Sequence, residues 1–173
     1  MLVIPRFLPH RIIIAISVSL IGSFTLNPAA RADHQAISSE RPPTASELAI
    51  KVYKSPSCGC CGDWIKHLEQ NGFIVHSINE NNMSLIKQQL GVPQNLQSCH
   101  TAVVDGFLVE GHVPATDIKQ MASQRPAIKG LSVPGMPIGS PGMEMGSRTE
   151  AFKVIAFKED GSALVVNAYP KNH

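Results

Sequence analysis

Apolar and polar positions alternate over 48–53 (Leu-Ala-Ile-Lys-Val-Tyr), the pattern of a strand with one or both faces buried. A turn-rich run follows, Ser55-Pro56-Ser57-Cys58-Gly59-Cys60-Cys61-Gly62. Trp64, Ile65 and Leu68 then mark one face of a helix over 63–70, stopped by Asn71-Gly72. A second strand is predicted over 73–79, and a short helix over 83–90 with Asn82 as cap and Gly91 and Pro93 at its end. Short strands over 101–104 and 107–110 flank Asp105-Gly106, a dipeptide suited to a tight hairpin turn. A helix over 114–123 starts on Pro114, tolerated in a first turn, and is closed by Arg125-Pro126. The segments 152–157 and 163–166 flank Glu159-Asp160-Gly161 as a final hairpin.

The order is β-α-β-α-β-β-α, a long loop, then β-β. Strand–helix–strand implies two parallel strands, and each hairpin adds antiparallel ones. This order fits an α/β fold: a thioredoxin-like three-layer sandwich with a mixed sheet and an extra C-terminal β-hairpin, over residues 48–170. Between Gly130 and Gly146 the sequence GLSVPGMPIGSPGMEMG holds five Gly and three Pro, so it is read as loop, neither interior helix nor central strand.

The first 32 residues read as an address. Arg6 and Arg11 precede an apolar stretch from Ile12 to Leu26, Asn27-Pro28 break it, and Ala30-Arg31-Ala32 offers small residues ahead of Asp33. These are the three parts of a secretory signal peptide (1–32) cleaved near Ala32/Asp33. The apolar stretch is shorter than the roughly 20 residues that span a bilayer, so no stable membrane insertion is expected after cleavage. The polar stretch 33–47, with Pro42-Pro43, is expected to be a flexible lead-in. Export would place the thiols outside the cytoplasm, where they can be oxidised.

Charge changes the picture once the signal is set aside. The chain has 15 Lys+Arg and 13 Asp+Glu; Arg6, Arg11 and Arg31 lie in the first 32 residues, which hold no acid, so the remainder is 12 against 13, net −1. Such a domain has no electrostatic footprint for nucleic acid. With 43% apolar and 16% charged residues, disorder, collagen and coiled coil are excluded.

The chemistry lies in four cysteines. Cys58, Cys60 and Cys61 share the turn between a strand and a helix start, and Cys99 falls just before the third strand. A helix N-terminus favours thiolate, the form that attacks and ligates. In a thioredoxin-type layout the Cys99 loop faces that helix start. Structural disulfides are one alternative, with pairings such as Cys58–Cys61 or Cys60–Cys99. Crowded cysteines close short loops, and short loops gain little from cross-linking. Zinc is another, although its structural sites usually pair two separated C-x-x-C units. Met136, Met143 and Met145 sit in the Gly/Pro-rich stretch. Thioether and thiolate together favour Cu(I); as loop filler, Met would instead pack the segment onto the domain. Of the histidines, His112 lies just past the first hairpin, toward the cysteine end of the sheet. His100 adjoins Cys99, so strand alternation turns it away if Cys99 faces the cluster. His67 and His76 read as packed or surface residues, and His34 and His173 as terminal.

The segments SPSCGCCGDWIKHLEQNGF, GVPQNLQSCHTAVVDGFLVEGHVPATDI and KGLSVPGMPIGSPGME resemble a family of exported bacterial metal-binding proteins. That family was long catalogued as a domain of unknown function and includes the CopG-type periplasmic copper-resistance proteins. The likeness runs from about Ile50 to Tyr169. It implies a thioredoxin-like fold and copper handling by Cys58, Cys60, Cys61 and Cys99, as a thiolate-bridged multinuclear Cu(I) cluster. It further points to His112, Met136 and Met143 as additional ligands. Copper ions, and periplasmic copper chaperones or efflux components, are the partners such a role implies. A rival reading makes Cys58 and Cys61 the catalytic pair of a thiol-disulfide oxidoreductase. Cys60 inside the motif counts against it, as does the lack of Pro immediately before the third strand. A third reading is an interaction domain with incidental disulfides.

Overall fold

A computed structural model of the chain describes residues 48–171. The expected signal peptide and lead-in, with His34 and His173, lie outside the described residues. Seven strands form one mixed sheet: β1 (Leu48–Lys54), β2 (Phe73–Asn79), β3 (Thr101–Val104), β4 (Phe107–Gly111), β5 (Gly130–Val133), β6 (Phe152–Phe157) and β7 (Ala163–Tyr169). The helices are α1 (Gly59–Gln70), α2 (Met83–Leu90) and α3 (Ala115–Gln124), with a short 3₁₀ turn at Gln94–Leu96. Strand order is β2-β1-β3-β4-β5-β6-β7. The β1–β2 and β4–β5 pairs are parallel and the other four antiparallel. The first crossover and both hairpins are therefore as the sequence predicts.

Alternation along the strands separates two cores. Ile50, Val52, Ala102, Val104, Val109, Leu131, Val133, Val154 and Ala156 face one way and meet Trp64 and Leu68 of α1 and Ile118 and Met121 of α3. The opposite parity, with Leu108, Phe157, Val103 and Ile155, packs against Val92 and Leu96 in the segment after α2. Helix, sheet and helix thus form three layers, and strands β3 to β5 in the middle are buried on both faces.

Local signals hold where they were read. Asn82 Oδ1 accepts the Leu85 N–H (3.1 Å) and Gly91 closes α2 in the left-handed region. Asp105 and Gly106 both have positive φ (50° and 86°), the turn that matches the twist of a hairpin. Helix α3 lies one residue later than expected, with Pro114 as its N-cap, and β4 runs one residue further to Gly111; three differences are larger. Helix α1 begins at Gly59 rather than Asp63, so Cys60 and Cys61 lie inside its first turn. Strand β7 runs on to Tyr169. The largest correction is β5: the first four residues of the Gly/Pro-rich stretch form a fully buried strand between β4 and β6. Proline enters only at Pro134, so Gly130–Val133 keep every backbone donor. Gly130 fits because a Cβ there would stand 2.2 Å from the Leu108 carbonyl oxygen. No helix among the described residues is long and apolar enough to cross a membrane.

Candidate metal centre

The site lies where the start of α1 meets the segment entering β3. Cys58 is the N-cap residue of α1, and its N–H closes a turn onto the Ser55 carbonyl (3.1 Å). Cys60 and Cys61 follow in the first turn, where backbone N–H groups have no helical acceptor and the helix dipole favours anions. The Cys58–Cys61 pair is disulfide-bonded, and Cys60 and Cys99 are free and half-buried. The Cys60 sulfur is 3.5 Å from that of Cys58. All four sulfurs lie within 4.8 Å of one another.

Cys99 is held over α1 by its neighbours. The Ser98 N–H donates to Glu110 Oε1 (2.6 Å), and the Gly111 N–H donates to the His100 carbonyl (3.0 Å). On the outer side, the Ser98 hydroxyl donates to the Gly135 carbonyl and the Gly135 N–H donates to Gln97 (3.2 Å). Burial first, and then the adjacent Cys60, push the Cys99 thiol up to about 12. Without a metal it is therefore a neutral thiol at pH 7, and a ligating metal must displace its proton.

His112 is fully buried, with Nε2 3.1 Å from the Cys99 sulfur and Nδ1 2.9 Å from the Pro141 carbonyl oxygen. A carbonyl only accepts, so Nδ1 carries the proton and the Nε2 lone pair faces Cys99. Ligating histidines usually have their second nitrogen held in this way. Burial lowers the His112 pKa, partly opposed by the Pro141 carbonyl and by Glu144. The imidazole is neutral at pH 7, the form a metal takes.

His100 departs from its expected place. It precedes β3, where alternation does not apply, and its Nδ1 lies 3.2 Å from the Cys99 sulfur. Its ring is fully buried, 4.3 Å from Trp64 and 4.9 Å from His112 between centroids. Nε2 has no hydrogen-bond partner, a smaller cost for a bare lone pair than for an orphaned N–H, so Nδ1 is the donor toward Cys99. Burial, then His112 and Lys87, hold its pKa well below the ordinary value. His67 and His76 stay away from the sulfurs: His67 Nε2 accepts the Ala115 N–H (3.1 Å), and His76 is exposed on β2.

The methionine loop is anchored on both sides of the site. Gly135, next to Met136, is tied to the Ser98 segment as above. Gly142, next to Met143, lies so close to α1 that a Cβ would stand 2.5 Å from the Trp64 nitrogen and 2.9 Å from the Cys60 carbonyl oxygen. Met136 is 52% exposed, and Met143 is half-buried in a turn whose N–H bonds Ser140 (2.8 Å). Two features escaped the sequence reading. One is His100; its adjacency to Cys99 was the available signal. The other is a buried group beneath the site, Lys87, Thr101 and Glu110. Its signal was a lone carboxylate in the apolar strand Phe107–Gly111.

A mixed-sheet α/β protein that gathers four cysteine sulfurs and two imidazoles at a helix start is of the class that handles soft metals or disulfides. Residues 96–143 match a family described as a protein of unknown function, DUF411. Two solved structures are similar over most of the chain, both named copper resistance protein CopG. Form 2 is 52% identical, covering 72% of this chain and 100% of that one at a TM-score of 0.69. Form 1 is 53% identical, covering 72% and 99%, also at 0.69. The chain belongs to the CopG copper-resistance family. No curated protein sequence matches it.

Proposed function

We propose that this protein is an exported, periplasmic copper-binding protein that holds Cu(I) as cargo in copper resistance. The carrying observation is that the sulfurs of Cys58, Cys60, Cys61 and Cys99 lie within 4.8 Å of one another, with His112 Nε2 3.1 Å from Cys99. Thiolates, a neutral imidazole and the thioethers of Met136 and Met143 are the donors that favour Cu(I) over harder ions. Each thiolate has lone pairs for two metals, so four of them suit several Cu(I) ions held by bridging sulfurs. All four act together only after the Cys58–Cys61 disulfide is reduced. In the reverse sense, closing that disulfide releases two electrons, sufficient to reduce two Cu(II) to two Cu(I). The predicted signal peptide over 1–32 supports the periplasm as its place, where a copper chaperone or efflux component would supply or take the metal.

The test is an anaerobic Cu(I) titration of the reduced 33–173 chain against a chromogenic chelator, with the metal-to-protein ratio from elemental analysis. More than one tightly held copper per chain is expected. Failure to compete with the chelator overturns the reading.

The Cys58–Cys61 disulfide at a helix start favours a second reading, a thiol-disulfide oxidoreductase. Against it stand Cys60 and Cys99, close enough to intercept a mixed disulfide. An insulin-reduction assay separates the two: turnover that persists in Cys60→Ala supports the second reading.

A further inference from the structure

The side chain of Glu110 sits beneath the site, is fully buried, and has no place in the metal-binding scheme above. It takes three short hydrogen bonds: from Lys87 Nζ (2.5 Å) and the Ser98 N–H (2.6 Å) on Oε1, and from the Thr101 hydroxyl (2.6 Å) on Oε2. Lys87, itself buried, also donates to the Thr101 oxygen (2.9 Å). Thr101 and Glu110 are already partners in the β3–β4 ladder. Ser98 lies before that ladder, so the carboxylate ties it to strands it does not otherwise join. The two anchors, Ser98 and Thr101, bracket Cys99 and His100.

Sterics point the same way. Gly111 ends β4 with φ +70°, and a Cβ there would stand 2.5 Å from Ser98 Cβ and 2.6 Å from the Val133 carbonyl oxygen. The strand end is left bare so that the Ser98 segment can lie against it. A buried ion pair is a poor means of adding stability, because well-packed apolar side chains often match or exceed it. A carboxylate that accepts a loop N–H does what no apolar group does, which is to fix the loop's position.

We propose that Glu110, neutralised by Lys87, is a positioning residue that presets the Ser98–Thr101 turn and so holds the Cys99 sulfur over Cys60 before any ligand arrives. The inference rests on the reading of Cys99 as a functional thiol, and its copper consequence rests on the Cu(I) proposal.

The test uses a probe that does not depend on copper. With Cys58–Cys61 oxidised, the described residues offer two free thiols, Cys60 and Cys99. Phenylarsine oxide bridges two neighbouring thiols, forming two As–S bonds and releasing water, so its affinity reports their spacing. The double variant Lys87→Met/Glu110→Leu removes both charges and the acceptor. It is expected to bind the arsenical about tenfold more weakly or worse, because the loop must then be ordered on binding. Lys87→Met/Glu110→Gln keeps an oxygen for the Ser98 N–H and is expected to restore most of that affinity at similar thermal stability. A folded Leu variant with wild-type arsenical affinity overturns the proposal.

Should the Leu variant not fold, the Ser98 amide of the wild type decides. A downfield, exchange-protected proton that moves upfield in the Gln variant supports the proposal, and one that exchanges like an open loop overturns it. Cu(I) titration of the same proteins separates the two claims. Wild-type protein that takes the arsenical but not Cu(I) removes the copper reading and leaves the positioning role standing.

Discussion

The two walls of the candidate metal centre are held by different means. Cys58, Cys60 and Cys61 are placed mainly by contacts within a few residues, a turn onto Ser55 and the helix start, with Gly142 as a remote neighbour close to the Cys60 carbonyl oxygen. The opposite wall, Cys99 with His100 and His112, is placed by partners far along the chain: Glu110, Gly111, Gly135 and Pro141. The first wall should tolerate most changes elsewhere in the protein. The other is expected to loosen when a remote tie is cut, although its donors remain.

The strongest way to break the comparison is to remove the donor that joins the walls. Cys99→Ser is expected to cut the number of tightly held Cu(I) ions sharply in the chelator titration. Unchanged stoichiometry would remove Cys99 from the site. Leaving Cys58–Cys61 oxidised should have a comparable effect without any mutation, since half the thiolates are withdrawn.

Next in size is His112→Ala, expected to weaken Cu(I) by at least about tenfold and to cost about 1 kcal/mol of metal-free stability through the lost Pro141 hydrogen bond. A stability loss with unchanged copper affinity would make His112 a packing residue. Gly142→Ala tests a remote tie without touching a donor. The added Cβ meets the Trp64 nitrogen at a φ of +81°, so a destabilisation of about 1–3 kcal/mol in chemical denaturation is expected. A smaller decline in Cu(I) affinity should accompany it as the methionine loop lifts from α1.

The smallest effect is pH dependence. Burial lowers the pKa of His67, His100 and His112 from 6.5. Below 6.5 the unfolded chain therefore binds protons that the folded one refuses. The stability from these neutral rings is fully present above pH 6.5 and is lost as pH falls through their folded values. Metal-free thermal unfolding from about pH 8 to about pH 5 should show the melting temperature dropping below 6.5. His100→Phe should flatten that drop, and an unaltered slope would exclude His100 as its main source. Cu(I) affinity should rise with pH across the same range and beyond, as the Cys99 proton becomes easier to displace.

What the sequence determined by itself is what short-range physics governs. Alternation marked β1, the turn residues Asp105-Gly106 and Glu159-Asp160-Gly161 marked both hairpins, Asn82 and Gly91 bounded α2, and the crowded cysteines announced soft-metal or disulfide chemistry. Tertiary structure decided the rest. Gly130–Val133 became a central strand because β4 and β6 cover both of its edges and Gly130 lets the Leu108 carbonyl approach. A four-residue segment beside three prolines shows neither partner in its own pattern. His100 turned toward Cys99 because hydrogen bonds to Glu110 and Gly111, not strand alternation, shape the turn it occupies. Lys87 and Glu110 are 23 residues apart, and no local periodicity relates them. Their pairing is a property of the closed sheet, where a buried carboxylate needs a cation and a loop N–H needs an acceptor.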